Sequence, residues 1–285
     1  MAKRPSFDDN INGTNETERD GATRESTVID GESGSGWFRK LISCDMRVAT
    51  HRLLWFTHAG GGYAALARAI RNQSPDVHSR IIPASAELWA CVLPGRESRF
   101  NEAPISSMES CLRDINAAIA TPPMPLVLIG HSLGAAIAYC LADRLRQRHV
   151  EVDGLIVMAM RSPDLINPDH ELVKQSDADF VVSMNEQYGG IPDAIMENTE
   201  AQRLFVPTLR SDMSLLNQFF DVQPRTELQI PIRALRGIDD TAISRECMLG
   251  WRSTTSGDFS LRSLPGDHFF PLAQLSRVLQ LATQW

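Results

Sequence analysis

Gly130-His131-Ser132-Leu133-Gly134 sets a serine between two glycines in a G-x-S-x-G pattern. It directly follows the apolar run Leu126-Val127-Leu128-Ile129 and opens an alanine-rich stretch beginning at Leu133. A strand turning this sharply into a helix lifts the serine hydroxyl to the helix N-terminus, where backbone N–H groups and the dipole favour developing negative charge. The backbone approaches itself closely in such a turn, which is why the flanking positions are glycine. The chemistry on offer is nucleophilic attack, and a serine attacks well only when a base removes its proton.

In hydrolases carrying this elbow, an acid and a histidine follow in that order on loops after later strands. The run at 259–264 leads into Pro265-Gly266-Asp267-His268, and the run at 232–235 leads into Arg236-Gly237-Ile238-Asp239-Asp240. His268 is therefore the expected base. Asp240 is the expected acid, with Asp239 as its competitor; Asp267 is too near His268 in sequence to reach around its ring. Of the other histidines, His51, His78, His149 and His170 lie in polar surroundings without a matching strand end, while His58 and His131 flank the site and read as positional.

His58-Ala59-Gly60-Gly61-Gly62 follows the run at 53–56 and supplies the loop for an oxyanion hole. Its donor would be the backbone N–H of Ala59 or Gly60, with the N–H of Leu133 as the second. Residues Gly60 to Ala65 also satisfy G-x-G-x-x-A, a dinucleotide fingerprint. That reading needs an acidic residue after the next strand to hold a ribose. The next run, 88–93, ends in Pro94-Gly95-Arg96, and the nucleotide reading is set aside.

The elements that must carry these residues alternate. Apolar runs at 53–56, 88–93, 126–129, 155–160, 232–235 and 259–264 are separated by helical patterns at 64–72, 105–120, 133–148 and 244–251, with a last one from 272 onward. Near-continuous apolar strands alternating with helices predict a mostly parallel sheet covered on both faces. Between about 166 and 229 the alternation fails, and helical patterns at 178–187, 193–197, 199–205 and 211–220 suggest an insertion of the kind that forms a lid.

The chain has 285 residues, with 28 Lys+Arg against 35 Asp+Glu, a net charge of −7. Mild acidity and scattered basic residues argue against a nucleic-acid partner, and no apolar run is long enough to span a bilayer. Five widely spaced cysteines without a C-x-x-C fit free thiols, and with no secretory signal visible the expected location is cytoplasmic. Residues 1–36 hold eight acidic, four basic and only seven apolar residues, so they are expected to be a disordered tail ahead of one domain over 37–285.

Taken together the motifs resemble the type II (external, editing) thioesterases of nonribosomal peptide and polyketide synthases. Thr57-His58-Ala59-Gly60-Gly61 is similar to that family's P-H-A-G-G loop, Pro94-Gly95-Arg96-Glu97-Ser98-Arg99 to its P-G-R-x-x-R segment, and Gly130–Gly134 to its G-H-S-M-G. Tyr188-Gly189-Gly190-Ile191-Pro192, Leu209-Arg210-Ser211-Asp212 and Pro265–Phe270 resemble its lid and histidine segments. Thr57 stands where proline is usual, and Leu133 where methionine is. The resemblance implies an α/β-hydrolase fold with a helical lid between strands 6 and 7, the acid of its G-x-x-D at Asp240, and hydrolysis of acyl thioesters held on the phosphopantetheine arm of carrier proteins. No cofactor of its own is implied, since the pantetheine belongs to the partner. A small-molecule carboxylesterase or acyltransferase with the same triad is the alternative. Met184, Ile191, Ile195, Met196, Leu204, Phe205, Leu215, Phe219 and Phe220 are candidates for an apolar acyl channel, and Arg144 and Arg148, one turn apart, for a carrier-facing pair.

Overall fold

The computed structural model describes residues 31–32, 36–44, 47, 49–73, 86–120 and 124–285. Most of the expected tail, and His78, lie outside these residues.

Eight strands form one sheet among the described residues: β1 (Gly31–Glu32), β2 (Phe38–Ile42), β3 (His51–Phe56), β4 (Ala86–Cys91), β5 (Leu126–His131), β6 (Val152–Met158), β7 (Ile232–Gly237) and β8 (Phe259–Leu264). Their order is β1-β2-β4-β3-β5-β6-β7-β8. From β4 to β8 every pairing is parallel; β2 runs antiparallel to both β1 and β4. The two antiparallel strands at this edge are the ones the apolar runs did not predict, and β1 lies within the segment expected to be tail. Backbone pairing with β2 draws Gly31 and Glu32 into the sheet, so the domain begins before residue 37.

Side-chain alternation explains the continuous apolar runs. Leu54, Phe56, Leu126, Leu128, Leu155 and Val157 face one core, under helices α2 (Met108–Ala118) and α3 (Leu133–Gln147). Their neighbours Leu53, Trp55, Val127, Ile129, Ile156 and Met158 face the other, under α1 (Tyr63–Arg71) and the C-terminal helix Leu275–Ala282. A strand buried on both faces has no polar side to show, so its sequence reads as unbroken.

Four helices fill the interval between β6 and β7: α4 (Asp177–Tyr188), α5 (Asp193–Met196), α6 (Thr199–Asn217) and α7 (Phe219–Val222). Ser176 and Asn198 cap α4 and α6 by accepting from backbone N–H groups of the first turn. The sequence suggested two helices where α6 is one. Pro207 leaves the Arg203 carbonyl without its helical donor. The helix nevertheless runs through, because Val206, Leu209 and Met213 lie on one buried face across the proline. Hydrogen bonds fasten α6 to the body: Thr208 Oγ1 donates to Gly95 O at 3.1 Å and Ser211 Oγ to Ile105 O at 2.6 Å. Among the described residues no helix is long and apolar enough to cross a membrane.

Candidate active site

Ser132 lies between β5 and α3 with φ 52° and ψ −119°, a backbone conformation that side chains rarely adopt. Such a residue costs about 1–3 kcal/mol and persists only where its surroundings enforce it. Here the Ser132 N–H donates to Met158 O of β6 at 2.9 Å, which helps hold the turn. A Cβ at Gly130 would overlap the backbone of Gly134 and Ala135, and one at Gly134 the carbonyls of Phe56 and Thr57. The two glycines of the motif are thus fixed by main chain passing within contact distance.

The loops after β7 and β8 are zipped together. Ile238 N donates to Leu264 O at 2.8 Å and Asp239 N to Gly266 O at 3.0 Å. A side chain at Gly237 would collide with Asp267 O, so glycine there allows the approach. This brings Asp240 Oδ2 to His268 Nδ1 at 3.0 Å, with both residues buried. Asp240 Oδ1 accepts from the N–H groups of Ala242 at 2.9 Å and Ile243 at 3.0 Å, which orients the carboxylate. Asp239 is exposed, and Asp267 accepts from Phe269 N; of the three aspartates, Asp240 is the one on the ring. Nδ1 is engaged, which leaves His268 Nε2 as the nitrogen free to exchange a proton.

Ser132, Leu133, His58, Ala59 and His268 all line one cavity of about 330 Å³. Gly60 is the less suitable oxyanion donor, since its N–H already donates to Asp212 Oδ2 at 2.7 Å. Burial holds the imidazoles of His58 and His131 below the ordinary value. Both make backbone hydrogen bonds: His58 Nδ1 donates to Ala59 O at 2.9 Å and His131 Nε2 to His268 O at 2.8 Å. His51 is far from this chemistry and pairs with Asp153.

The roof of the cavity comes from the helices between β6 and β7. Met184, Ile191, Ile195 and Phe205 line it as the sequence suggested. Leu204 instead faces solvent at 67% exposure, and Met196 packs within the helical cluster. Leu215, Phe219 and Phe220 instead pack in the core against the sheet. Tyr188, Leu209, Met213 and Leu216 complete the lining; the Tyr188 ring lies 5.0 Å from that of His268. Arg144 and Arg148 are occupied in joining α3 to α2, Arg144 through Glu109 and Arg148 through Asn116 and the Ile119 carbonyl.

Three charged residues at the site went unassigned by sequence reasoning. Arg96 and Asp212, both buried, form a bidentate ion pair with bonds of 2.7 and 2.8 Å. They are 116 residues apart, and each was visible only as part of a matched segment. Glu97 accepts from Tyr63 N and Ala64 N at 2.7 Å, capping α1 with a carboxylate. A dinucleotide would need that helix N-terminus for its pyrophosphate, and a carboxylate already occupies it. Thr57 Oγ1 donates to Gly61 O at 3.2 Å, so a hydrogen bond restrains the loop where the family has a proline ring. Among the described residues no group of three or more His, Cys, Asp or Glu is placed to hold a metal ion.

Residues 51–285 match the Thioesterase domain family. Thioesterase PikA5 of Streptomyces venezuelae is 33% identical over 224 residues, covering 77% of this chain and 75% of that protein. Gramicidin S biosynthesis protein GrsT of Aneurinibacillus migulanus is 28% identical over 223 residues, covering 77% and 82%. Among solved structures, RedJ, the thioesterase from the prodiginine biosynthetic pathway of Streptomyces coelicolor, superposes with a TM-score of 0.70 at 27% identity, over 93% of this chain and 100% of that one. With the elbow and the parallel part of the sheet inside the matched residues, this chain belongs to the thioesterase family of serine hydrolases.

Proposed function

We propose that the protein is a type II thioesterase that hydrolyses acyl groups from the phosphopantetheine arms of carrier proteins, clearing misprimed or stalled chains from a nonribosomal peptide or polyketide synthase in the cytoplasm. The observation that carries the reading is the cavity shared by a strained Ser132 and a His268 whose Nδ1 is held by Asp240 at 3.0 Å.

Ser132 Oγ attacks the thioester carbonyl while His268 Nε2 takes its proton. Asp240 keeps the ring in the tautomer that can accept there and stabilises the imidazolium. The tetrahedral oxyanion is held by the N–H groups of Ala59 and Leu133, each such donor worth about 2.7–4 kcal/mol in the transition state. The C–S bond breaks, the thiolate leaves with the proton from His268, and an acyl-serine remains. Water, deprotonated by His268, then attacks the ester, releasing the acid and restoring Ser132. A thiolate leaves readily, so the step asks less of the general acid than amide cleavage does. The chain needs only its own side chains and backbone for this; the pantetheine arrives with the partner. The helical segment 166–229 acts as the lid over the acyl group.

Steady-state hydrolysis of a panel of acyl-loaded carrier proteins, beside matched oxygen esters, tests the reading. Carrier thioesters should be the better substrates, and Ser132→Ala should be inactive. Efficient cleavage of simple oxygen esters with carrier thioesters left intact would replace the assignment with a carboxylesterase.

A further inference from the structure

The Arg96–Asp212 pair lies outside the triad, yet its hydrogen bonds converge on the loop that carries the Ala59 N–H. Asp212 Oδ2 accepts from Gly60 N at 2.7 Å and from Arg96 Nη1 at 2.8 Å, and Oδ1 accepts from Nη2 at 2.7 Å. Arg96 Nη1 also donates to Gly61 O at 3.0 Å. The Ala59–Gly60 peptide is therefore held at both ends, its N–H by Asp212 and its carbonyl by His58 Nδ1 at 2.9 Å. The preceding carbonyl, that of His58, accepts from Gly61 N at 3.0 Å. In a trans peptide the N–H points opposite to the C=O. Fixing the His58 oxygen on Gly61 thus fixes the direction of the Ala59 N–H.

Stability alone does not account for such a pair. Buried ion pairs contribute little net stability against apolar residues of similar size, because desolvation offsets the attraction. What this pair visibly does is geometric: its bonds to Gly60 N and Gly61 O hold the loop that carries a proposed oxyanion donor. Asp212 lies on α6, which also supplies Phe205, Leu209 and Met213 to the cavity.

We propose that Arg96 and Asp212 are positioning residues for the oxyanion hole: with α6 seated, Asp212 and Arg96 together lock Gly60 and Gly61 and so aim the Ala59 N–H at the reacting carbonyl. Helix α6 thereby ties closure of the acyl cavity to assembly of the hole. The inference rests on the acyl-serine reading given above.

The test compares wild type, Ser132→Ala, Arg96→Lys and the double variant Arg96→Gln/Asp212→Asn on one acyl-carrier thioester, with thermal melts as a check on folding. The double variant leaves neither charge buried alone. Its kcat should fall at least about tenfold, as for partial loss of an oxyanion donor, with KM within about threefold of wild type. Affinity for an alkyl boronic acid, whose boron takes the place of the carbonyl carbon and mimics the tetrahedral adduct on Ser132, should fall in the same proportion as kcat. Arg96→Lys keeps the charge but not the planar fork, so it should fold and show the same split in weaker form; it carries the test if the double variant does not fold. A folded variant with kcat within about twofold of wild type, or one with KM raised at unchanged kcat, overturns the proposal. Turnover by Ser132→Ala would instead refute the acyl-serine reading itself, which separates the two failures.

Discussion

His131 donates its Nε2–H to the carbonyl oxygen of His268 at 2.8 Å, so the residue preceding the proposed nucleophile holds the backbone of the proposed base. Burial, followed by the neighbouring imidazoles of His58 and His268, keeps the His131 ring well below the ordinary imidazole value of 6.5. His58 is lowered in the same direction, also chiefly by burial. Both rings hold a proton less readily in the fold than in the unfolded chain, where an imidazole titrates near 6.5. The unfolded state then binds more protons, so stability is complete above pH 6.5 and falls as the pH drops below it. Melting temperatures measured from pH 7.5 down to 5 should show this decline. His131→Gln, which retains a donor but cannot titrate in this range, should flatten it; an unchanged slope would remove His131 as its source.

Asp240 and Asp239 are adjacent in sequence and opposite in environment, one buried against His268 and the other exposed. Asp240→Asn should lower kcat by roughly 10⁴-fold, because the amide no longer fixes the productive tautomer. Asp239→Asn should leave kcat near that of wild type. Single-turnover acylation, followed by intact mass, distinguishes the two; the reverse pattern would move the acid to Asp239.

Met213 is buried in α6 and lines the cavity beside Leu209 and Leu216. Met213→Ala should cost about 2–5 kcal/mol in unfolding free energy, the range for truncating a buried methionine. The enlarged cavity should shift kcat/KM toward longer or bulkier acyl groups. A chain-length series on one carrier protein measures the shift, and an unaltered profile would place the acyl group elsewhere.

Pro207 is an exposed interior residue of α6, where a proline costs about 3 kcal/mol relative to alanine. Pro207→Ala restores the donor for the Arg203 carbonyl and should raise the melting temperature by several degrees. A lower melting temperature would mean that the helix is shaped around the proline.

The elbow, the histidine turn and six strands were legible because their signals are local: burial on both faces makes an apolar run, and close backbone approach demands glycine. Strand β2 escaped notice because Arg39 and Lys40 sit at its centre. Lys40 finds its partner, Glu87, only on the neighbouring β4, at 2.8 Å. The separate helical patterns at 199–205 and 211–220 are one helix, because packing of Val206, Leu209 and Met213 carries α6 through Pro207. Leu215, Phe219 and Phe220 share the apolar character of the cavity residues, and periodicity does not report which body an apolar face meets. The Arg96–Asp212 pair is wholly a product of tertiary structure.

Because one helix bears both the cavity wall and the Asp212 carboxylate, substrate range and turnover are not independently exchangeable modules in this chain. A chimera that imports the corresponding helix from a relative to broaden its acyl repertoire would also import whatever residue stands at position 212. Where that residue is not an acid, the hybrid should accommodate the new acyl group yet process it slowly until the aspartate is reinstated.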